Sequence, residues 1–349
     1  MLNSFSTNAT VAKAKALYGK RLTQADYSEL MHRNSVADIA EYLKRNTHFK
    51  DILSSIDTNT VRRRYLEQLL KRDVFEKYVR LCKFQQIDKI EFYNYNIIKL
   101  EMDAIVNCIL NLNSITSVKF IAETSNYLIK HASFDIISLA KAEDFSEVLK
   151  VLKKTPYYAI LKDEKPNENG RYDCTLIEAK LRSYYYEWLK NAIDKDFSGD
   201  TAQELHELIR KQVDVTNIVN AFRLISFSGE KAQDYLDEIL PNYGKISGKH
   251  LDYLYQSRDD EEFLLRFSKT HYGRQMEKFT DNLEGRLMSH YGTLLKTDYE
   301  KRALRKSQSA PVSLFSILFL FTIETENIIN IIEVIRYKAP MTILDKLLI

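Results

Sequence analysis

The feature that most constrains the folding of this chain of 349 residues is a local pattern written into it three times. Ser35–Leu53 (SVADIAEYLKRNTHFKDIL), Asp144–Leu161 (DFSEVLKVLKKTPYYAIL) and Ser257–Met276 (SRDDEEFLLRFSKTHYGRQM) each open on a helix-capping residue with an acid three positions on: Ser35 with Asp38, Asp144 with Glu147, Ser257 with Asp260. A side-chain oxygen at such a position accepts from the orphan N–H groups of the first turn, and the acid suits the positive end of the helix dipole. After a short apolar helix, each segment reaches a threonine followed two residues later by an aromatic: Thr47 with Phe49, Thr155 with Tyr157, Thr270 with Tyr272. The threonine is expected to cap a second short helix. Pro156 agrees with this, because a proline directly after a cap gives up no hydrogen bond.

A second mark follows in each copy. Asn96-Ile97-Ile98-Lys99, Asn217-Ile218-Val219-Asn220 and Asn327-Ile328-Ile329-Asn330 lie 49, 62 and 57 residues beyond the respective threonine, each in a stretch of helical apolar period. The polar run Lys162 to Arg171 (KDEKPNENGR) accounts for the longer middle spacing as a surface loop. Successive threonines stand 108 and 115 residues apart, so three copies fill the chain. The expected division is residues 1–125, 126–243 and 244–349, with Gly244 to His250 (GKISGKH) as the turn into the third. Three similar helical units packed about a common axis would present a concave or funnel-like surface suited to gripping another protein.

Composition fixes the class. Nine glycines and five prolines are about 4% of the chain, against ordinary usage of roughly 12%. Doubly wound sheets, barrels and phosphate loops need more residues at positive φ than this, so an all-α fold is expected. The odd, scattered cysteines Cys82, Cys108 and Cys174 argue for a reducing compartment, and Cys82 and Cys108 read as small buried residues. The first 22 residues carry no secretory pattern. A net charge of +3 gives no electrostatic reason to expect nucleic acid. Leu314 to Ile323 (LFSILFLFTI) is almost wholly apolar, yet ten residues are about half a membrane span. It reads as a helix buried on all sides, and no direct membrane span is expected.

A search for chemistry finds near misses. His206-Glu207 begins like a zinc-protease motif, but Arg210 stands where the second histidine is needed. GKISGKH is one residue too short between its glycines for a phosphate loop, and His250 replaces the hydroxyl residue. The acids Asp259 to Glu262 sit at a helix start, where the dipole explains them. No catalytic residue, cofactor site or metal site is expected.

The T-x-aromatic element in triplicate, the run D-x-x-N-I-x-N-x-x-R at Asp214 to Arg223, and E-x-E-N-I-x-N with a following arginine at Glu324 to Arg336 resemble the family of central-stalk subunits of V-type and archaeal-type rotary ATPases, the C-type subunits of prokaryotes and d-type subunits of eukaryotes. The resemblance covers the whole chain. It departs mainly in the first copy, where aromatics rather than an acid precede Asn96. It implies an all-helical funnel of three subdomains, peripheral on the cytoplasmic face of the membrane. Such a funnel seats on the proteolipid ring, receives the rotor shaft and does no chemistry itself. Proton versus sodium transport belongs to other parts of the complex. The basic runs Arg62-Arg63-Arg64 and Lys301-Arg302 with Arg305-Lys306 read as solvated helix faces; in the rotary setting they would meet acids of the shaft or lipid headgroups. Arg223 and Arg336 emerge at the edge of apolar stripes, either covering the core with their stems or offering guanidinium forks toward the funnel opening. The alternative reading is a free-standing helical-repeat adaptor that binds a cytosolic partner.

Overall fold

The computed structural model describes residues 4–84, 90–114, 126–228, 243–246, 248–340, 344 and 348–349. Every regular element among them is helical. The order is α1 (Ser4–Tyr18), α2 (Gln24–Met31), α3 (Val36–Asn46), α4 (Arg63–Phe84), α5 (Tyr95–Leu112), α6 (Asn126–His131), α7 (Ile136–Ala140), α8 (Phe145–Leu152), α9 (Pro156–Leu161), α10 (Cys174–Asp196), α11 (Gly199–Ser228), α12 (Gly248–Tyr255), α13 (Asp260–Ser268), α14 (His271–Met276), α15 (Met288–Lys306) and α16 (Ala310–Tyr337). The boundary expected at 125 and Ser247 of the GKISGKH turn lie outside the described residues.

Local chemistry explains where these helices start. Ser35 caps α3, accepting from Asp38 N at 3.1 Å. Asp144 caps α8, accepting from Glu147 N at 2.8 Å, while the Glu147 carboxylate accepts from the N–H of Glu143 at 2.9 Å. The third copy shifts by two residues from the sequence expectation. Asp259 accepts from Glu262 N at 2.8 Å, and Glu262 accepts from Arg258 N at 3.0 Å. Ser257 is already committed, its hydroxyl donating to the carbonyl of Leu254 at the end of α12. The run SRDDEE offers two cap-and-acid pairs at the right spacing, and the chain uses the second, with the Ser257 hydroxyl turned back onto α12.

The threonines also divide. Thr155 and Thr270 precede short helices as expected, α9 and α14, and Thr270 accepts from Gly273 N at 3.0 Å. Thr47 instead closes α3, its hydroxyl donating to Leu43 O at 2.6 Å, and a run of turns follows in place of a helix. Gly273 is required where it stands, since a Cβ there would lie 2.1 Å from the backbone oxygen of Phe267.

The chain forms two compact units. One comprises Met1–Lys89, Gly199–Val219 and Leu264–Ile349. Its centre is α16, against which α1, α3, α4 and α15 pack. The segment read as a buried helix over 314–323 is buried throughout except at Phe319 and Thr322, but the helix is 28 residues long. Its mean hydropathy of 1.6 over an 18-residue window would satisfy a membrane span by length and composition; burial of 78% of that window inside the protein identifies it as a core helix. It ends at Lys338, the one non-glycine residue at positive φ among the described residues, with Pro340 just beyond.

The other unit comprises Ile90–Ser198 and Asn220–Phe263. Here α5 packs along α10. Phe92 anchors their ends, stacking edge-on against Tyr93 and Phe197 at 5.3 and 5.2 Å, while its N–H donates to the Asp196 carboxylate at 2.7 Å. Asn113 reads both backbone groups of Tyr172, donating to its carbonyl at 2.8 Å and accepting from its N–H at 3.0 Å. The loop 162–171 is a surface loop as expected, turned by Asn167 and by Gly170 at φ 72°. Cys82 and Cys108 are buried and Cys174 half-buried, all as free thiols; burial pushes the Cys108 thiol up to about 11.

Candidate functional site

Three buried carboxylates organise the molecule: Glu101 on α5, Asp214 on α11 and Glu324 on α16, exposed by 2%, 0% and 6%. Each receives a hydrogen bond from one of the three repeated segments. The Tyr157 hydroxyl donates to Glu101 Oε2 at 2.6 Å, and the Tyr272 hydroxyl donates to Asp214 Oδ2 at 2.6 Å. Phe49 stands at the corresponding position of the first segment and has no donor. Its neighbour His48 substitutes, with Nε2 2.9 Å from Glu324 Oε2. Lys77 Nζ donates to His48 Nδ1 at 2.7 Å, so Nδ1 is the acceptor and Nε2 carries the hydrogen toward Glu324.

The docks differ in charge. Burial first, and the facing carboxylate second, hold the Tyr157 phenol well above the usual tyrosine range; burial and the bond to Asp214 do the same for Tyr272. Both phenols remain neutral donors. Glu101 also accepts from the Ser133 N–H. At the His48 dock the groups form a chain, Asp73 to Lys77 to His48 to Glu324, whose side chains are all about nine-tenths buried. Burial raises Asp73 while Lys77 draws it back. The Lys77 ammonium also lies over the rings of Phe49 and Phe321 at 4.9 and 5.2 Å. The second oxygen of Glu324 accepts from Leu22 N at 2.6 Å. A buried carboxylate is tolerable only with such donors, and here they fasten helices to one another.

Aligning the long helices on these acids reveals a register that sequence reading missed. Glu101-Met102-Asp103-Ala104-Ile105-Val106-Asn107, Asp214 to Asn220 and Glu324 to Asn330 share an acid, then isoleucine four positions on and asparagine six positions on. Ile105, Ile218 and Ile328 are each fully buried. In this register Ala104, not Asn96, is level with Asn217 and Asn327; Asn96 lies five residues before Glu101 and is half-buried. The acid-to-isoleucine spacing was the available signal. Asn327 grips the backbone of Ile349, donating to its carbonyl at 2.9 Å and accepting from its N–H at 3.0 Å.

The basic candidates are distributed. Arg63 binds Glu67 at 2.8 Å and also Glu333, which ties α4 to α16, while Arg62 and Arg64 are exposed. Arg223 is exposed on α11, and Phe227 one turn later is 87% exposed. Arg336 is exposed with its guanidinium 5.0 Å from the ring centre of Tyr337, itself 67% exposed. The aromatic beside each arginine was not singled out from the sequence. Glu207, the zinc-motif near miss, pairs with Lys211 at 2.7 Å.

One further acid belongs to no dock. Glu300 is fully buried, accepts from Gln212, and is pushed up to about 8 by burial.

The family model for the ATP synthase (C/AC39) subunit matches residues 10–346. The chain is 23% identical over 268 residues to the C subunit of the A-type ATP synthase of Methanosphaera stadtmanae, covering 75% of this chain and 65% of that protein. It is 26% identical over 215 residues to the protein of the same name from Methanococcoides burtonii, covering 58% and 55%, and 26% identical over 210 residues to that of Methanosarcina acetivorans, covering 60% and 55%. The matched stretches thus span under two thirds of those relatives.

Proposed function

Because the chain belongs to the ATP synthase (C/AC39) subunit family, we propose that it is a non-catalytic central-stalk part of a V- or A-type rotary ATPase. In this reading it seats on the proteolipid ring at the cytoplasmic face, receives the rotor shaft, and passes torque between them for proton or sodium transport.

The observation that carries the reading is the order of the three docks. The second segment fastens to α5, which precedes it in the chain; the third fastens to α11, which precedes it; and the first fastens to α16, far along the chain. A cyclic order of this kind is what a funnel of three subdomains (1–125, 126–243, 244–349) would need, because it leaves no unit at a free end. In that arrangement Thr47, Thr155 and Thr270 set the entry of each docking element, and Asn107, Asn220 and Asn330 share one helical place, replacing Asn96 as the mark of the first unit. Rigid closure suits torque transmission, since a close-packed interior deforms little.

Arg223 with Phe227 and Arg336 with Tyr337 are the proposed partner contacts. Exposed aromatic and arginine side chains are the residue types that most often anchor protein interfaces. Arg62 and Arg64 would add complementary charge at a rim, affecting association rate more than affinity.

The test is purification of the tagged chain from detergent-solubilised membranes of its source, with every co-purifying chain identified by mass spectrometry. Recovery of a proteolipid with shaft and nucleotide-binding proteins is expected, and cross-linkers placed at Arg223 and Arg336 should then reach one of them. Recovery of soluble partners alone from an intact complex preparation would replace this reading with the adaptor.

A further inference from the structure

Two adjoining cavities of about 370 and 470 Å³ share Tyr18, Arg21 and Lys301 in their walls. Four residues lining the larger one are cationic, Lys15, Arg21, Lys301 and Arg305, and one is acidic, Asp298. All lie in the unit built around α16.

The acids near these cations are already engaged. Asp298 pairs with Arg302, one turn along α15, at 2.5 Å. Glu324, in the wall of the smaller cavity, has one oxygen bound by Leu22 N and the other by His48. The four cations, by contrast, form no ion pair among the described residues. Lys15 donates to the Ser307 carbonyl at 3.2 Å; Arg21 donates to the Tyr18 carbonyl at 3.2 Å and stacks over the Tyr18 ring at 4.3 Å. Loss of solvation, and after it the Arg21 guanidinium, holds the Lys301 ammonium below its usual range.

Several other cations of the chain find a carboxylate on their own helix. Arg33 with Glu29, Arg45 with Glu41, Arg72 with Glu76 and Lys211 with Glu207 each neutralise one another across a helical turn. Four cations thus line one concavity beside a single acid, Asp298, that Arg302 already binds. Guanidinium forks and ammonium groups converging from two helices and the α1–α2 turn suit a tetrahedral anion, which accepts from several directions at once.

We infer that these cavities bind a ligand bearing two or more phosphate charges, either a free polyphosphate or the phosphorylated headgroup of a lipid. Four cations lining one concavity of about 470 Å³ match such a compact polyanion better than an acidic protein segment, whose carboxylates would spread along a surface. The inference stands independently of the rotary reading.

The test is calorimetric titration of the purified full chain with inorganic pyrophosphate and with inositol hexakisphosphate, alongside co-sedimentation with phosphatidylcholine vesicles containing or lacking phosphatidylinositol bisphosphate. One saturable site is expected, weakened at least tenfold in the double variant Arg21→Gln, Lys301→Gln and weakened steeply by salt. Vesicle binding that requires the phosphoinositide and is displaced by inositol hexakisphosphate assigns the lipid source; titration by soluble polyphosphate without vesicle binding assigns the free one. The double variant should melt at the temperature of the parent or above, because a repulsion is removed; should it melt lower, Arg305→Gln alone supplies the same comparison. No saturable binding of any probe, binding unchanged by the substitutions, or binding only of a poly-glutamate peptide overturns the inference.

Discussion

The Tyr272 and His48 docks solve one problem in two ways. Both satisfy a buried carboxylate on a long helix. The phenol does so as a neutral donor at the end of a rigid ring, so the bond to Asp214 involves a single uncharged group. At the His48 dock the ring position is Phe49, which can only pack, and the hydrogen bond moves to the preceding residue. That displacement brings Lys77 and Asp73 into the site and turns one hydrogen bond into a four-group network. Aromatic packing and carboxylate binding are therefore separable tasks. One tyrosine performs both in the second and third segments; His48 and Phe49 share them in the first.

The comparison breaks most visibly at His48. His48→Ala removes two hydrogen bonds to charged groups, leaving Lys77 with Asp73 and Glu324 with the Leu22 N–H, and unfolding by denaturant should show a loss of about 3–5 kcal/mol, each such bond being worth about 1.5–3 kcal/mol. Next is Glu300, a buried acid with neither phenol nor basic partner. Its folded value of about 8 lies above the ordinary 4.5, so its contribution is complete below about pH 4.5 and is lost as pH rises to 8. Stability should fall across that window by on the order of 2–4 kcal/mol, and Glu300→Gln should flatten the profile; an unchanged profile would remove this acid from the comparison.

Tyr272→Phe should cost about 1.5–3 kcal/mol, the worth of a hydrogen bond to a charged group. Tyr157→Phe leaves Glu101 the Ser133 N–H and should cost toward the lower end of the same range. If Tyr272→Phe proves as costly as His48→Ala, the distinction between neutral and charged docks fails. The smallest contrast lies at the caps. Thr270→Ala should lose about 1 kcal/mol through the cap bond to Gly273 N, whereas Thr155→Ala, which removes no cap bond, should lose less.

Local chemistry was the legible part. Glycine scarcity announced the helices, and the Asp144 cap, the Thr155-Pro156 start and the 162–171 loop stand where their residues predict. What escaped were choices between equal local options. The run SRDDEE holds two valid caps, and the chain uses the second, with Ser257 closing α12. Thr47 could have started a helix, yet its hydroxyl closes α3. The docks were hidden for a different reason. Their partners are separated by 56, 58 and 276 residues, so no spacing rule links them. Asn96 drew attention as an asparagine followed by two isoleucines, while Glu101, an ordinary acid inside a helix, carried the interaction.

Helix α16 raises a question of timing. A stretch apolar enough to satisfy a membrane span is hazardous while uncovered, since insertion machinery and aggregation both recognise it by hydropathy. Residues 310–337 leave the ribosome only after α1, α3, α4 and α15, the helices that pack over them, have been synthesised. The most lipid-like part of the chain thus emerges after the helices that cover it, and the order of synthesis shortens the time it spends exposed to water.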